Sequence, residues 1–124
     1  MKRLLIVDDE ETIRFALTRY FGRLHFQVDC ASELEEAEAL VVYTCYDLVI
    51  ADLSLTAGGS SEGLEILRLL RTACPVTRVI LLTAYGTPAV EREAMRRGAD
   101  VFLHKPQPLD DLARIAQQLL GAQG

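Results

Sequence analysis

The sequence predicts a single α/β domain built on a doubly wound parallel sheet of five strands in the order 2-1-3-4-5, with helices on both faces. Three observations predict it. Short apolar runs and segments of helical period alternate five times along 124 residues, which is how strands joined by crossover helices read. One of the runs, Leu48, Val49, Ile50 and Ala51, is apolar at every position, as a strand buried on both faces of a parallel sheet must be. Four of the five predicted strands end in a reactive or polar side chain, at the edge where open α/β folds bind their ligands.

Each element has its own signal. Residues 3–7, RLLIV, form the first strand and run into Asp8 and Asp9. Ile13, Ala16, Leu17, Tyr20, Phe21 and Leu24 recur at helical spacing, with Gly22 near the end. Residues 26–30, FQVDC, read as the second strand, and Ser32 as the cap of an acidic helix. In that helix Leu34, Ala37, Leu40 and Val41 face inward, while Glu33, Glu35, Glu36 and Glu38 make a solvated face. The third strand emerges at Asp52. Its loop, LTAGGSSEG, carries the glycines and serines of a flexible connection with a helix cap at its far end. Leu64, Ile66, Leu67, Leu70 and Ala73 form the third helix, with Pro75 just beyond. Residues 78–82, RVILL, are the fourth strand, ending in Thr83. Thr87 and Pro88 cap and open a short helix that Gly98 closes. Residues 101–104, VFLH, make the fifth strand, ending in Lys105 and Pro106, and Leu109, Leu112, Ala116, Leu119 and Leu120 carry the last helix. The domain is expected over residues 1–121, with 122–124 a tail or the start of a linker.

Composition narrows the function. Half the residues are hydrophobic and a quarter charged, so the chain is globular rather than disordered. A net charge of −5 argues against wrapping nucleic acid, whose phosphates need clustered Lys and Arg. No apolar run reaches membrane-spanning length, and the apolar stretch at the N-terminus ends too soon in acids for a signal peptide, so a cytoplasmic location is expected. Cys30, Cys45 and Cys74 share no metal-ligand spacing and are expected to be buried free thiols. His25 and His104 stand apart from any companion that would make a zinc or haem site.

The strand ends carry the chemistry. In the order 2-1-3-4-5 the one strand without a polar end is an edge, and the other four lie side by side. Asp8, Asp9, Asp52, Thr83 and Lys105 would then share one pocket. Crowded carboxylates repel one another and call for a cation, and hard oxygen ligands suit Mg²⁺. Such an acidic trio, with a lysine and a hydroxyl donor, fits phosphoryl transfer to a carboxylate. Asp52 is the nucleophile candidate because it leaves the central strand, and Asp8 and Asp9 are the metal candidates.

Four stretches in register, LLIVDDE, LVIADLSL, ILLTAYG and GADVFLHKP, resemble the receiver domain of two-component response regulators, and the resemblance spans the chain. It implies a flavodoxin-like fold similar to the chemotaxis regulator, and transfer of a phosphoryl group from a sensor histidine kinase or phosphotransfer protein to Asp52 with Mg²⁺ bound. It implies metal ligands from Asp9, Asp52, the backbone carbonyl of Ser54 and, through water, Asp8. Thr83 and Lys105 would bind the phosphoryl group, Phe102 would be an aromatic switch, and the Lys105–Pro106 bond would be cis. The face made by the fourth helix, fifth strand and fifth helix would report the state to a partner, with a homodimer as one candidate and an output domain, fused or separate, as another. Two positions depart from the family pattern. Thr56 stands where the family commonly has proline, and Gln107 where it often has an aromatic residue.

Residue pattern alone leaves several roles open. By pattern Phe102 reads as a core aromatic, and only the resemblance sets the switch beside that reading; Tyr85 reads as a loop residue or a lid over the phosphoryl group, Phe15 as an exposed aromatic or a partner contact, and His104 as a surface or helix-facing residue on the side of the strand opposite Lys105. The rival functions are three. A Mg²⁺-dependent aspartyl phosphatase resembling the haloacid dehalogenase group would carry an acid where Ser54 stands. A nucleotide or flavin binder would need a phosphate loop where the acids stand. A degenerate receiver used only for docking would have no need of the Asp, Thr and Lys set. The chain is therefore read as a phosphoacceptor rather than a turnover enzyme.

Overall fold

The computed structural model describes residues 1–53, 60–84 and 86–121, with only the backbone described for 60–63. It contains β1 (Arg3–Val7), α1 (Glu11–Arg23), β2 (Gln27–Ala31), α2 (Leu34–Tyr43), β3 (Leu48–Asp52), α3 (Ser60–Ala73), β4 (Arg78–Thr83), α4 (Pro88–Arg96), β5 (Val101–His104) and α5 (Leu109–Leu119). The strands form one sheet in the order β2-β1-β3-β4-β5, every pair parallel. The expected fold class and strand order are both observed.

Alternation along each strand explains why these runs are apolar throughout. Leu5, Val7, Val49, Ala51, Val79, Leu81 and Phe102 point to one face and pack with Ala37, Val41, Leu64, Leu67, Leu70 and Ala94 of α2, α3 and α4. Leu4, Ile6, Leu48, Ile50, Ile80 and Leu82 point to the other and pack with Leu17, Phe21, Leu112, Ala113 and Ala116 of α1 and α5. Both faces are therefore core. At about 25 cal/mol per Å² of apolar surface removed from water, burial on two faces is the main stabilising term for these short strands.

The amino edge of the sheet is tied by side chains. Tyr46, 2% exposed, donates its hydroxyl to Asp29 Oδ2 at 2.6 Å. Thr77 Oγ1 donates to the Tyr46 carbonyl at 2.7 Å, Asp47 Oδ2 accepts from Arg3 N at 2.8 Å, and Asp100 Oδ2 accepts from Val79 N at 2.8 Å. Gly98 closes α4 with φ 110°, a conformation that glycine takes without a Cβ penalty, and Arg71 Cδ lies 3.0 Å from where a Cβ would stand.

Local boundaries differ from the sequence reading in a few places. The second strand is Gln27–Ala31, one residue later, because its register follows β1, with Arg3 opposite Gln27. Ser32 does not cap α2. The cap position is Glu33, and Ser32 instead bonds to Glu36 Oε1 through its backbone N–H, at 2.7 Å, and its hydroxyl. Ala73 is exposed and Cys74, one residue on, takes the inward position. Thr87 does cap α4, accepting from Val90 N at 3.2 Å.

The cysteines need a larger correction. Cys45 and Cys74 form a disulfide with Cα atoms 5.8 Å apart, and Cys30 is free and only half-buried. Cys45 follows α2 and Cys74 follows α3, and the packing of those two helices brings both helix ends together at the amino edge. A separation of 29 residues has no signature in sequence, so only the fold reveals the pair. Closing a loop of that length should stabilise the fold by about 3–4 kcal/mol. In urea titrations, reductant should lower the unfolding midpoint of the wild type and leave that of Cys45→Ser/Cys74→Ser unchanged.

Candidate functional site

The carboxyl edge gathers the polar strand ends. Val7 pairs with Ala51, so Asp8, the next residue after β1, and Asp52, the last of β3, emerge on neighbouring strands. Both are buried, at 2% and 5% exposure. Lys105, one residue past β5, reaches across β4 and places Nζ 3.0 Å from Asp8 Oδ2 and 3.0 Å from Asp52 Oδ2. Its backbone N–H donates to the Thr83 carbonyl at 2.8 Å, which fixes the start of that reach. Thr83 ends β4 opposite His104 and is 1% exposed. The Lys105–Pro106 bond is cis.

The electrostatics follow from that geometry. Burial opposes the charge of Lys105, but hydrogen bonds to Asp8 and Asp52 outweigh it and its pKa is pushed up to about 12. Asp8 moves the other way for a carboxylate in an ion pair. Burial pushes its carboxyl up, and the bonds from Glu10 N and Lys105 and the charge of Lys105 only partly offset this. The pocket holds more negative charge than one ammonium can satisfy. One more oxygen ligand set lies beside it: the carboxylates of Asp8, Asp9 and Glu10 bring ligand atoms within 4.8 Å of one another. Oxygen donors with a surplus of negative charge suit a hard divalent cation, so these residues fit the metal that the sequence reading implied.

The structure brings together Asp8, Asp52 and Lys105 as expected. Asp9 is adjacent and exposed. Ser54 and Tyr85 lie outside the described residues, as does most of the stretch from Thr56. Phe102 is 9% exposed, so its ring lies inward here rather than in solvent. His104 is exposed and its ring meets that of Phe102 edge-on at 5.8 Å between centroids. Phe15 is 63% exposed, with the Arg19 guanidinium 5.5 Å above its ring. Sequence reasoning gave no role to Glu10, which accepts from Lys105 Nζ at 3.4 Å, although it belongs to the acidic block after β1. It also missed Arg14, one helical turn on, whose Nη1 holds the Asp8 carbonyl at 2.8 Å.

A five-stranded doubly wound sheet with a buried Asp–Lys–Asp bridge at its carboxyl edge defines a class of α/β domains with an acidic pocket. The comparisons place this chain within it. The sequence matches the response regulator receiver domain family over residues 4–117, and the chain belongs to that family. It is 34% identical over 123 residues to the regulatory protein AtoC of Escherichia coli strain K12, covering 99% of this chain and 26% of that protein. The chain thus spans about a quarter of that relative's length. Among solved structures, it resembles a CheY-like receiver domain from Methanospirillum hungatei JF-1, with a TM-score of 0.91, 26% identity, and coverage of 99% of this chain and 96% of the other. It also resembles a response regulator from Burkholderia pseudomallei solved with a phosphorylated aspartic acid, calcium ion and citrate, with a TM-score of 0.86, 28% identity, and coverage of 99% and 71%.

The Asp8 shift carries a stability consequence. Because the folded pKa lies above the unfolded value of 3.8, the native state holds more protons than the unfolded chain between the two values. Stability therefore falls as pH rises through that window, and above it the buried charge is a standing cost. With a chelator present, Asp8→Asn should raise the urea midpoint at neutral pH, and the gain should shrink as the pH falls through that window and be gone below 3.8.

Proposed function

We propose that this domain accepts a phosphoryl group on Asp52 from a histidine kinase or phosphotransfer protein, and that the acidic pocket holds Mg²⁺ for the step. The observation that carries the reading is the Lys105 bridge: a half-buried ammonium 3.0 Å from the buried Asp52, where a transferring group's oxygens would need positive charge. The family membership supports it, and the Burkholderia structure contains a phosphorylated aspartic acid with a calcium ion. Asp9, Asp52 and the Ser54 carbonyl would hold the metal directly and Asp8 through water. Bound Mg²⁺ supplies positive charge to the phosphoryl oxygens.

The protein's own residues do the rest. An oxygen of the ionised Asp52 attacks phosphorus, forming the acyl phosphate P–O bond as the P–N bond to the donor histidine breaks and the electron pair leaves with the imidazole. Lys105 stays protonated throughout, since its pKa of about 12 is far above neutral, and its Nζ can turn from the carboxylates to the new phosphoryl oxygens. The Thr83 hydroxyl is a further donor. Drawing it toward the phosphoryl group would repack its neighbour Phe102 and change the face of α4, β5 and α5 that a partner, including a second copy, would read. Because the ring is already inward in this structure, phosphorylation would hold that state rather than create it. Moving such an equilibrium almost fully takes about 5.5 kcal/mol of differential stabilisation.

Two measurements test this. Incubation with acetyl phosphate and Mg²⁺, followed by intact mass analysis, should add one phosphoryl group to wild type and none to Asp52→Asn, and a chelator should abolish the gain. Equal labelling of the variant would sink the assignment. In Mg²⁺ titrations, Asp9→Ala should weaken binding more than Asp8→Ala, since a direct ligand contributes more than one acting through water; the reverse order would reject the ligand set.

A further inference from the structure

Gly86 stands three residues past Thr83, on the chain leaving β4 toward α4. A Cβ at this position would lie 2.6 Å from Thr83 Cγ2, 2.8 Å from Phe102 Cζ and 2.9 Å from Phe102 Cε1. Carbon atoms that are not bonded rest about 3.5–4.0 Å apart. A methyl group at residue 86 therefore cannot coexist with both neighbours where they stand. The reason for glycine is space alone, because Gly86 has no positive φ of the kind recorded for Gly98.

Neither neighbour can retreat without changing the site. Thr83 is β-branched and 1% exposed at the end of β4. Relieving its methyl contact means stepping χ1 to another staggered well, which carries Oγ1 to a new direction. Phe102 packs in the same cluster as Ala94 and Ala99 and is 9% exposed, so moving its ring away from residue 86 means moving it toward solvent. The space a side chain would take at residue 86 is thus filled by the Thr83 methyl on one side and the inward ring of Phe102 on the other.

We propose that Gly86 is a positioning residue for the phosphoryl-transfer site: the volume at residue 86 decides whether Phe102 can lie inward while Thr83 keeps the rotamer that aims its hydroxyl. This rests on the phosphoacceptor reading above. It assigns the coupling between the two residues to a third that touches neither phosphate nor metal. A methyl at residue 86 forces the ring out or turns the hydroxyl, and either change weakens a state in which both are in place.

The test compares acetyl phosphate labelling rates with the NMR spectrum of the aromatic rings. Wild type should show an NOE between a Gly86 α-proton and the Phe102 ring. Gly86→Ala should lose about tenfold in labelling rate, the factor that one ordinary hydrogen bond to the transferring group is worth, and its Phe102 resonances should move toward those of an exposed ring. Two second-site changes separate this contact from a general loss of structure. Gly86→Ala/Thr83→Ser removes the clashing methyl but keeps a hydroxyl, and Gly86→Ala/Phe102→Leu removes the ring edge. At least one should label faster than Gly86→Ala alone, because residues that share one space are not additive. A Gly86→Ala protein with wild-type rate and ring shifts overturns the proposal, and so does a slowed one that neither change rescues. If wild type takes no label, the phosphoacceptor reading fails instead, and the NOE and ring shifts still decide whether residue 86 sets the position of Phe102.

Discussion

The ammonium of Lys105 is the interaction on which the carboxyl edge depends. Asp8 and Asp52 emerge on adjacent strands, both buried, and two carboxylates in that position repel one another. Lys105 stands between them from a strand two places away. Its backbone N–H holds the Thr83 carbonyl while its Nζ holds the two acids, so one residue links the ends of β1, β3, β4 and β5. Removing Lys105 would leave two buried carboxylates uncompensated, at a cost of about 3–5 kcal/mol. The bridge thus organises the site by electrostatic need as well as by reach.

That arrangement requires a sheet with no other place for polar groups. The inner strands are apolar at every position because both faces are covered, so their polar residues fall at the ends, where the chain leaves the core. Concentrating acids at one edge then follows from the topology. Parallel strands all present the same end to the same side, and the crossover helices supply the walls. Arg14 on the first turns of α1 and Glu10 just before it show how the first crossover contributes to the pocket beyond the strand itself.

How much of this was legible in the sequence depends on whether the signal is local. The strands were legible because two-sided burial writes an apolar run, and α4 because Thr87 and Pro88 are a local cap and first turn. The meeting of Asp8, Asp52 and Lys105 was legible through topology, since strand order converts separate strand ends into neighbours. The Cys45–Cys74 bond was not, because it depends on where two helices end in space. Ser32 misled for a different reason: its hydroxyl had a competing partner in Glu36, so the residue that looks like a cap makes another bond. Gly86 carried no signal at all. A glycine in a loop suggests backbone freedom, whereas here the reason is the crowding of Thr83 and Phe102, which come from different strands.

The two edges of the sheet divide stability from chemistry. At the amino edge the acids are matched: Asp29 accepts from Tyr46, Asp47 from Arg3 N, and Asp100 from Val79 N, with the disulfide closing the same side. Those bonds tie one strand to the next and give each acid a protein donor. At the carboxyl edge burial raises the Asp8 pKa even though Lys105 is within 3.0 Å, so the pocket retains a deficit of positive charge in the resting fold. A site complete in itself would have no electrostatic reason to take up a cation. The deficit is what would make cation binding there favourable, and the bonded opposite edge is what lets the fold carry it.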